Sequence, residues 1–343
     1  MAEDLTPVAD TVADVFPWQQ PQLDKILQLL ELNKLPHAML LCGPGHLGKR
    51  LFAGAIASLL LCQAPAGGRA CRECSGCLLF RAGSHPDLWV VKRELRENGK
   101  DYRKQLVVDQ IRDLIHWATQ TAQRSGYKVA IIHPAEAMNT QAANALLKCL
   151  EEPASNTILM LVTDKPARLL PTILSRCQRV EFSLPAPALA LPWLAEQIPG
   201  GADPELMLNI AGGAPLAVVE RVDDGFLERR ETLYKGLMQL IDGQVPVWDL
   251  AALIVKQGSE EAMELMISLL EDVARCGAAG QGPVLNSDCL QVIELLSRRW
   301  SSHQLFGLHD RALQELRALR GTTNPNETLL MEAYLSAFVR KTN

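Results

Sequence analysis

The chain has 343 residues, of which 48% are hydrophobic and 21% charged, and its formal net charge is −5 at neutral pH. This length predicts about two or three domains, and the composition is typical of a soluble globular protein. The negative net charge argues against a protein that holds DNA tightly through its own positive field. The longest apolar run, at 51–62, is too short to span a bilayer, so a membrane protein is not expected.

The amino-terminal segment and the cysteines bear on the cellular compartment. Glu3, Asp4 and Asp10 stand where a signal peptide carries basic residues ahead of an apolar segment, so no signal peptide is expected. Nine cysteines in a long chain without an export signal are typical of reduced thiols. We therefore predict a cytoplasmic protein.

A glycine-rich segment at 43–50, with the sequence GPGHLGKR, follows an apolar run and precedes an amphipathic helical pattern. This strand–loop–helix context predicts a phosphate-binding P-loop, in which Gly43, Gly45 and Gly48 let backbone N–H groups point at an anion. Lys49 is expected to reach the outer phosphates. Arg50 stands where a P-loop carries Ser or Thr for Mg²⁺, and a cation at that position repels the metal.

The rest of the first half alternates between strand and helix patterns, which predicts an α/β domain with a parallel sheet over residues 1–184. Besides the strand and helix that flank the P-loop, the predicted elements are a helix at 22–32, a strand at 88–91, a helix at 108–121, a strand at 128–133, a helix at 140–152 and a strand at 157–162.

The composition changes at the proline-rich segment 184–187, which predicts a linker. A small helical domain is expected at 185–225, with Gly and Pro interrupting it at 212–215. No strand pattern remains in an all-helical third domain at 226–343. Its predicted helices lie at 226–241, 248–256, 260–276, 289–300, 304–319 and 327–339.

Cys62, Cys71, Cys74 and Cys77 follow the spacing C-x8-C-x2-C-x2-C in an insertion at 62–77. Two cysteines three positions apart can bind one metal through a tight turn, and Cys62 completes a tetrahedral set of sulfurs. We predict a structural Zn²⁺, because four thiolates leave no open coordination position. An iron–sulfur cluster is the alternative, although ferredoxin runs continue with a nearby cysteine before proline.

A P-loop ATPase also needs a carboxylate at the end of a neighbouring strand to hold Mg²⁺. The candidate strand is followed by His133, which cannot supply one, and Glu136 lies in the next turn. Together with Arg50, the Mg²⁺ site lacks its hydroxyl and its carboxylate, so hydrolysis by this chain alone is not expected. Nucleotide binding without metal remains an alternative to a retained structural turn.

Three further segments carry a resemblance: QAANALLKCLEEP at 141–153, LVTD at 161–164 and LSRC at 174–177. Together with the P-loop, they resemble the AAA+ clamp-loader family. The sequence TNPNE at 323–327 is compatible with this family, although the resemblance is weak outside the first domain. The zinc insertion and the degenerate Mg²⁺ site single out one type of subunit within it.

The resemblance implies roles for individual residues. Ser175, Arg176 and Cys177 match the motif whose arginine acts in trans, as a finger in the ATP site of a neighbouring subunit. Thr163 matches the sensor-1 position. Leu216 stands where active members carry a phosphate-binding arginine, which is a further departure from an active ATPase.

The resemblance also implies a non-catalytic stator in a hetero-pentameric ring with delta and gamma/tau subunits. Such a ring loads the sliding clamp on primed DNA during replication by the DNA polymerase III holoenzyme. Residues 185–225 then form a lid domain, and residues 226–343 form the oligomerisation collar.

Two alternative functions would each need residues of a particular kind. A self-sufficient AAA+ ATPase with nucleotide at the P-loop needs Glu136 or another carboxylate in place of His133. A zinc-dependent nucleic-acid binder needs more positive charge on the insertion than Arg69 and Arg72 provide.

Overall fold

The computed structural model describes residues 15–95, 102–124, 126–198, 203–222, 225–279, 284–321 and 325–339. The chain forms two compact units. The first unit runs to Trp193 and also includes Ala214–Leu216, whereas the second comprises Leu194–Gly213 and the chain from Ala217 onwards. Across the described ranges, no helix is both long enough and apolar enough to cross a membrane.

A five-stranded parallel sheet forms the centre of the first unit, with the strand order β2-β3-β4-β1-β5. The strands are β1 (Ala38–Cys42), β2 (Leu88–Val91), β3 (Lys128–Ile132), β4 (Thr157–Thr163) and β5 (Gln178–Glu181). Every residue of β1, β3 and β4 is buried. Burial on both faces explains why these strands are continuous apolar runs rather than alternating ones.

Helices cover the sheet. The helices that begin in the first unit are α1 (Gln20–Glu31), α2 (Lys49–Leu61), α3 (Ser75–Arg81), α4 (Val108–Thr119), α5 (Thr140–Glu151), α6 (Pro171–Leu174) and α7 (Pro187–Gln197). The core on one face joins alternate residues of β1, β3 and β4 to apolar side chains of α4, α5 and α6. Helix α2 contacts β1, β3 and β4 and is itself almost entirely buried.

Every regular element of the second unit is a helix, among the residues that the structure describes. Its helices are α8 (Pro204–Ile210), α9 (Pro215–Val222, whose first two residues belong to the first unit), α10 (Phe226–Ile241), α11 (Val247–Gln257), α12 (Ser259–Ala279), α13 (Leu290–Arg299), α14 (Ser302–Leu319) and α15 (Glu327–Val339). Helix α12 packs along α14, and α11 packs along α15. Tyr334 and Phe338 of α15 are fully buried, with their rings 5.6 Å apart.

The structure confirms the predicted α/β sheet domain followed by helices, with most bounds within two residues of those expected. Four elements were missed: the short helices α3 and α6, strand β5 and helix α7. Strand β5 has only Val180 buried, so its sequence lacks an apolar run. Helix α7 begins within the predicted linker and contains Pro192, a residue that normally indicates an interruption.

The division at 184 and 225 into three domains remains a prediction. The first 14 residues of the predicted 1–184 domain lie outside the described residues, as do Thr323 and Asn324 of the TNPNE segment.

A buried polar network connects α10 to the segment that precedes α13. The Arg230 side chain is 3% exposed, and its Nη2 donates to Asp288 Oδ1 at 2.8 Å and to Asn286 Oδ1 at 2.9 Å. Asn286 in turn donates through its backbone N–H and its Nδ2 to Asp272 Oδ2, each at 2.7 Å. Because the charged groups of Arg230, Asp288 and Asp272 all have hydrogen-bond partners here, the segment is held against α10 and α12 without an unpaired buried charge.

We expect Arg230→Leu to lower the free energy of unfolding by about 2–4 kcal/mol. The cost arises because Asp288 and Asn286 lose their partner, and it stays moderate because the Asp288 side chain is 35% exposed. Urea titration followed by circular dichroism measures it. Arg298→Leu is the matched control, because that side chain is 80% exposed and pairs with Glu294 on its own helix. Equal losses in the two variants would contradict the importance of the network.

Candidate functional site

The P-loop at 43–50 joins the carboxyl end of β1 to α2. Gly48 is the residue before α2 and has φ +79°, and Lys49 is the first residue of the helix. Gly43 has φ +148°, and a Cβ there would lie 2.1 Å from the carbonyl oxygen of Phe182. Glycine is therefore required at both positions by backbone conformation and, at Gly43, by close approach of the next strand. The predicted strand–loop–helix geometry is present.

The side chain of Lys49 is held inside the chain. It is 3% exposed, its Nζ lies 2.6 Å from Asp164 Oδ1, and it also donates to the Pro44 carbonyl oxygen. Asp164 directly follows β4, whose last residue Thr163 is paired with Cys42 at the end of β1. The ammonium that a P-loop offers to phosphates is thus neutralised by a carboxylate of the same chain.

Residues far apart in sequence donate to carbonyl groups of the P-loop. Trp18 Nε1 and Gln19 Nε2 both donate to the Leu47 carbonyl oxygen, at 3.1 Å and 2.8 Å. The backbone N–H of Leu216 donates to the His46 carbonyl oxygen at 3.3 Å. The loop is therefore fixed from two sides by its own unit.

An aromatic cluster lies against the start of α2. The rings of Phe16 and Trp18 are stacked with centroids 4.8 Å apart, and Trp193 packs edge-on against both. A Cβ at Gly48 would lie 2.5 Å from a ring carbon of Phe16. Phe16 therefore covers the turn from which the helix starts, and it leaves no room for a side chain at Gly48.

At the two positions where the sequence predicts that a Mg²⁺ ligand has been lost, the structure shows no substitute ligand. Arg50 is the second residue of α2, and His133 is nearly buried at the end of β3. Glu136 lies in a short 3-10 helix beyond the strand end. Thr163 is fully buried, and its hydroxyl accepts the backbone N–H of Lys165 at 3.0 Å. A hydroxyl and a carboxylate in the usual Mg²⁺ arrangement are not found at these positions.

Arg176 lies in the turn between α6 and β5. Its Nη2 is 2.6 Å from Glu151 Oε1, at the end of α5, and its Nη1 donates to the Thr172 carbonyl oxygen at 3.1 Å and to Ser175 Oγ at 3.4 Å. The arginine side chain nevertheless remains 35% exposed. The guanidinium is therefore oriented by three groups while part of it faces solvent.

Cys177, the third residue of the predicted finger motif, has a different environment. It is 8% exposed and belongs to the core on one face of the sheet. Burial raises the pKa of the Cys177 thiol to about 11, so the thiol stays protonated at neutral pH. Its contribution is to anchor the turn that presents Arg176, and Ser175 Oγ supports that turn by donating to the Thr172 carbonyl oxygen at 3.1 Å.

The sheet places Arg176 and the P-loop at opposite edges. Strand β5 is parallel to β1, with Gln178 paired to Met39 and Glu181 paired to Cys42. Arg176 precedes β5, whereas the P-loop follows β1, so about 10 Å of strand separates the two edges. Arg176 cannot reach the P-loop of its own chain.

The four predicted metal ligands are brought together. The sulfurs of Cys62, Cys71, Cys74 and Cys77 all lie within 4.8 Å of one another, with Sγ–Sγ distances of 3.5, 3.9 and 3.9 Å for the pairs 62–71, 62–74 and 71–77. With a Zn–S bond of about 2.3 Å, a regular tetrahedron places its sulfurs about 3.8 Å apart. The site thus fits one tetrahedral metal ion and leaves no room for an iron–sulfur cluster.

Backbone N–H groups point at these sulfurs. The N–H of Cys71 lies 3.2 Å from Cys62 Sγ, and those of Gln63 and Cys77 lie 3.5 Å and 3.4 Å from Cys74 Sγ. Burial by itself would raise the pKa of the Cys74 thiol, but these two N–H groups and neighbouring thiols lower it to about 6. Arg72 has φ +67°, which allows the tight turn between the ligands. The backbone is arranged to stabilise thiolates, and the four cysteines can hold a metal.

Sequence reasoning missed three residues near these sites: Asp164, Glu151 and His85. Asp164 was part of the LVTD segment, and its position directly after a buried strand beside β1 was an available signal. Glu151 gave no such signal, because its partner Arg176 is 25 positions away in the sequence. His85 is buried beside the cysteine cluster, and burial lowers the pKa of its imidazole, which is therefore neutral.

Comparison with known proteins identifies the family. Residues 18–186 match the family model described as DNA polymerase III, delta subunit, and residues 224–339 match the model of its C-terminal part. The DNA polymerase III subunit delta' of Pseudomonas aeruginosa is 37% identical over 331 residues, which cover 94% of this chain and 97% of that protein. The Escherichia coli K12 subunit delta' is 29% identical, with 92% of each chain covered.

Among solved structures, a DNA polymerase III gamma subunit-related protein from Thermotoga maritima aligns with a TM-score of 0.42 and 18% identity, over 92% of this chain and 98% of that one. The predicted resemblance to the clamp loaders is confirmed by the sequence relatives. The chain belongs to the family of delta-prime subunits of bacterial DNA polymerase III, which are components of the clamp loader.

Proposed function

We propose that this chain is a non-catalytic stator of the clamp-loader ring and that Arg176 acts in trans, in the ATP site of a neighbouring subunit. The observation that carries the proposal is the position of Arg176 at the edge of the sheet opposite its own P-loop. At that edge the partly exposed guanidinium is too far from its own P-loop to act there, which supports a role in a neighbouring subunit. The neighbours are gamma/tau and delta subunits, and the ring loads the sliding clamp on primed DNA.

The contacts of Arg176 suit this role. A guanidinium offers a planar pair of donors to phosphate oxygens, where charge develops during transfer. Glu151 and the Thr172 carbonyl hold the fork in place, which reduces the entropy lost when it engages a phosphate. The Glu151 side chain is 48% exposed, so its ion pair with Arg176 is weak enough to be exchanged for a phosphate.

The second part of the proposal is that this chain does not hydrolyse ATP. Lys49 is already paired with Asp164, and Arg50 and His133 occupy the positions of the Mg²⁺ ligands. A nucleotide at the P-loop would have to displace Asp164 from Lys49 without help from a metal. The loop then serves as a rigid turn, held by Trp18 and by the other donors to its carbonyls.

We also propose that the ion held by Cys62, Cys71, Cys74 and Cys77 is a structural Zn²⁺. Four thiolates complete the tetrahedral shell, so the metal supplies stability and not catalysis. The metal ion would cross-link the carboxyl end of α2, the helix that follows the P-loop, to the first turn of α3. The cysteine module at 62–77 thereby supports the same loop from its far end.

We also propose a role for each predicted domain, by resemblance to the family. Residues 1–184 form the AAA+ domain with its zinc module, residues 185–225 the lid, and residues 226–343 the collar through which the ring assembles. The helical second unit supports the collar assignment only in that it has the helical architecture such a collar requires.

In a clamp-loader complex reconstituted with its partner subunits, we expect Arg176→Ala to reduce DNA-stimulated ATP turnover about a thousandfold at the site that it serves. Arg176→Lys should not restore turnover, because an ammonium lacks the planar fork. Steady-state phosphate release measures the effect, and size-exclusion chromatography checks that the ring still assembles. The wild-type chain alone should show no turnover.

Arg168→Ala is the matched control, because Arg168 is another exposed arginine of the first unit and lies outside the motif. Wild-type turnover by the Arg176→Ala ring would rule out the finger. Turnover by the isolated chain would rule out the non-catalytic assignment and establish the self-sufficient ATPase instead.

We expect Asp164→Ala to lower the free energy of unfolding by about 1–3 kcal/mol, because the buried Lys49 ammonium loses its carboxylate. Asp109→Ala provides the control, since its pair with Arg112 is exposed at both ends and its removal should cost less than about 0.5 kcal/mol. Guanidinium titration of both variants makes the comparison. A loss no larger than that of the control would mean that Lys49 does not depend on Asp164.

We expect Cys74→Ser to lose the bound zinc and to unfold at a lower temperature, since binding of a structural metal contributes folding free energy. Elemental analysis and differential scanning calorimetry measure the two effects. Cys276→Ser is the control, because Cys276 lies on α12, outside the metal cluster, and should keep one zinc per chain. Retention of a full zinc equivalent by Cys74→Ser would contradict the ligand set.

A further inference from the structure

His85 is a buried polar residue that the functions above do not use. It is 4% exposed and lies in the turn just before β2. Its Nε2 atom is buried and has no hydrogen-bond partner within the part of the chain that the structure describes. A buried donor without a partner costs free energy, so its position calls for an explanation.

The hydrogen bond at the other ring nitrogen determines which atom carries the proton. The backbone N–H of Asp87 donates to His85 Nδ1 at 3.1 Å, so Nδ1 carries a lone pair. In the neutral imidazole the proton is then on Nε2. His85 therefore presents an N–H donor on its buried side.

The Nε2 atom of His85 lies near the cysteine cluster. Gly76 lies between the two ligands Cys74 and Cys77, and a Cβ built on Gly76 would lie 3.6 Å from His85 Nε2 and 3.7 Å from Cys74 Sγ. The same Cβ would lie 2.5 Å from the Leu61 carbonyl oxygen, at the end of α2. The ring nitrogen and the sulfur thus border the same small space, which only a glycine leaves open.

The turn that carries His85 is fixed by contacts of its own. The Asp87 carboxylate accepts the backbone N–H groups of Gln123 and Arg124 at 2.7 Å and 2.8 Å. Trp117 Nε1 donates to the Pro86 carbonyl oxygen at 2.9 Å. The imidazole is therefore held in one orientation by groups outside the cysteine module.

We propose that His85 is a positioning residue of the metal site, whose Nε2–H donates to the thiolate of Cys74 in the metal-loaded protein. The inference rests on the proposed Zn²⁺ module. Four thiolates around one Zn²⁺ leave net negative charge on the sulfurs, and a fixed N–H donor stabilises that charge in a buried setting. Groups of this kind around a metal site orient the ligands and typically change metal affinity by about 10–100-fold.

The competing role is purely structural, in which His85 serves only to accept the Asp87 N–H. The two roles use different ring nitrogens, and two substitutions separate them. His85→Asn keeps an acceptor near the position of Nδ1 and removes the distal donor. His85→Gln places an amide N–H₂ near the position of Nε2 and removes the acceptor near Nδ1.

The test uses the full-length, zinc-loaded chain and competition with a colorimetric chelator. We expect His85→Asn to bind zinc about 10–100-fold more weakly than the wild type, and His85→Gln to stay close to it. Unchanged affinity in His85→Asn would overturn the inference. A loss confined to His85→Gln, or equal losses in both variants, would also overturn it, because the acceptor or the ring volume would then be the important feature.

A measurement on the wild-type chain does not depend on how the variants fold. In protein loaded with ¹¹³Cd and labelled with ¹⁵N at histidine, a hydrogen bond from Nε2–H to a metal-bound sulfur should give a scalar coupling between the His85 Hε2 proton and cadmium. A coupling to cadmium supports the inference, and its absence overturns it.

Zinc binding by the four cysteines and the role of His85 can be tested separately. If the wild-type chain takes up no zinc, the zinc module and the role of His85 both fall. If the wild type holds one zinc per chain and His85→Asn holds it equally well, only the role of His85 falls.

Discussion

The parallel direction of β1, β4 and β5 is the constraint on which the functional geometry depends. Parallel strands bring all their carboxyl ends to one edge of the sheet, so the P-loop after β1 and Asp164 after β4 must meet there. The same direction places the residue before β5 at the other edge. The parallel strand direction therefore brings Lys49 next to a carboxylate of its own chain. It also places Arg176 at the opposite edge of the sheet from that ion pair.

The ion pair between Lys49 and Asp164 supports the proposal that this P-loop serves as a structural turn. In an active P-loop the lysine charge is satisfied by phosphates, whereas here a carboxylate takes that place beside the Pro44 carbonyl. The aromatic residues before α1 and the cysteine module after α2 act on the same segment from its two ends. A loop supported in this way is consistent with the stator role proposed above.

Prediction succeeded where the determining interactions are local. The cysteine spacing and the alternation of strands and helices are encoded in short segments, and the structure bears them out. It failed for β5 and α7, whose stability comes from neighbours: β5 is held by its pairing with β1, and α7 contains prolines that suggest a linker when the segment is considered alone. The partners of Arg176 and Lys49 were missed for the same reason, since each lies on a different element of the sheet.

The sequence by itself determined which donor groups stand at the P-loop and in the cysteine insertion. Neither Arg50 nor His133 carries a hydroxyl or a carboxylate, whatever the fold. Four cysteines at metal-binding spacing are likewise a property of the chain. Only the tertiary structure decided that Lys49 pairs with Asp164 of the same chain and that Arg176 lies at the edge of the sheet opposite the P-loop. Those facts depend on strand order and register, which arise from burial of both faces of the sheet and are not encoded in any single segment.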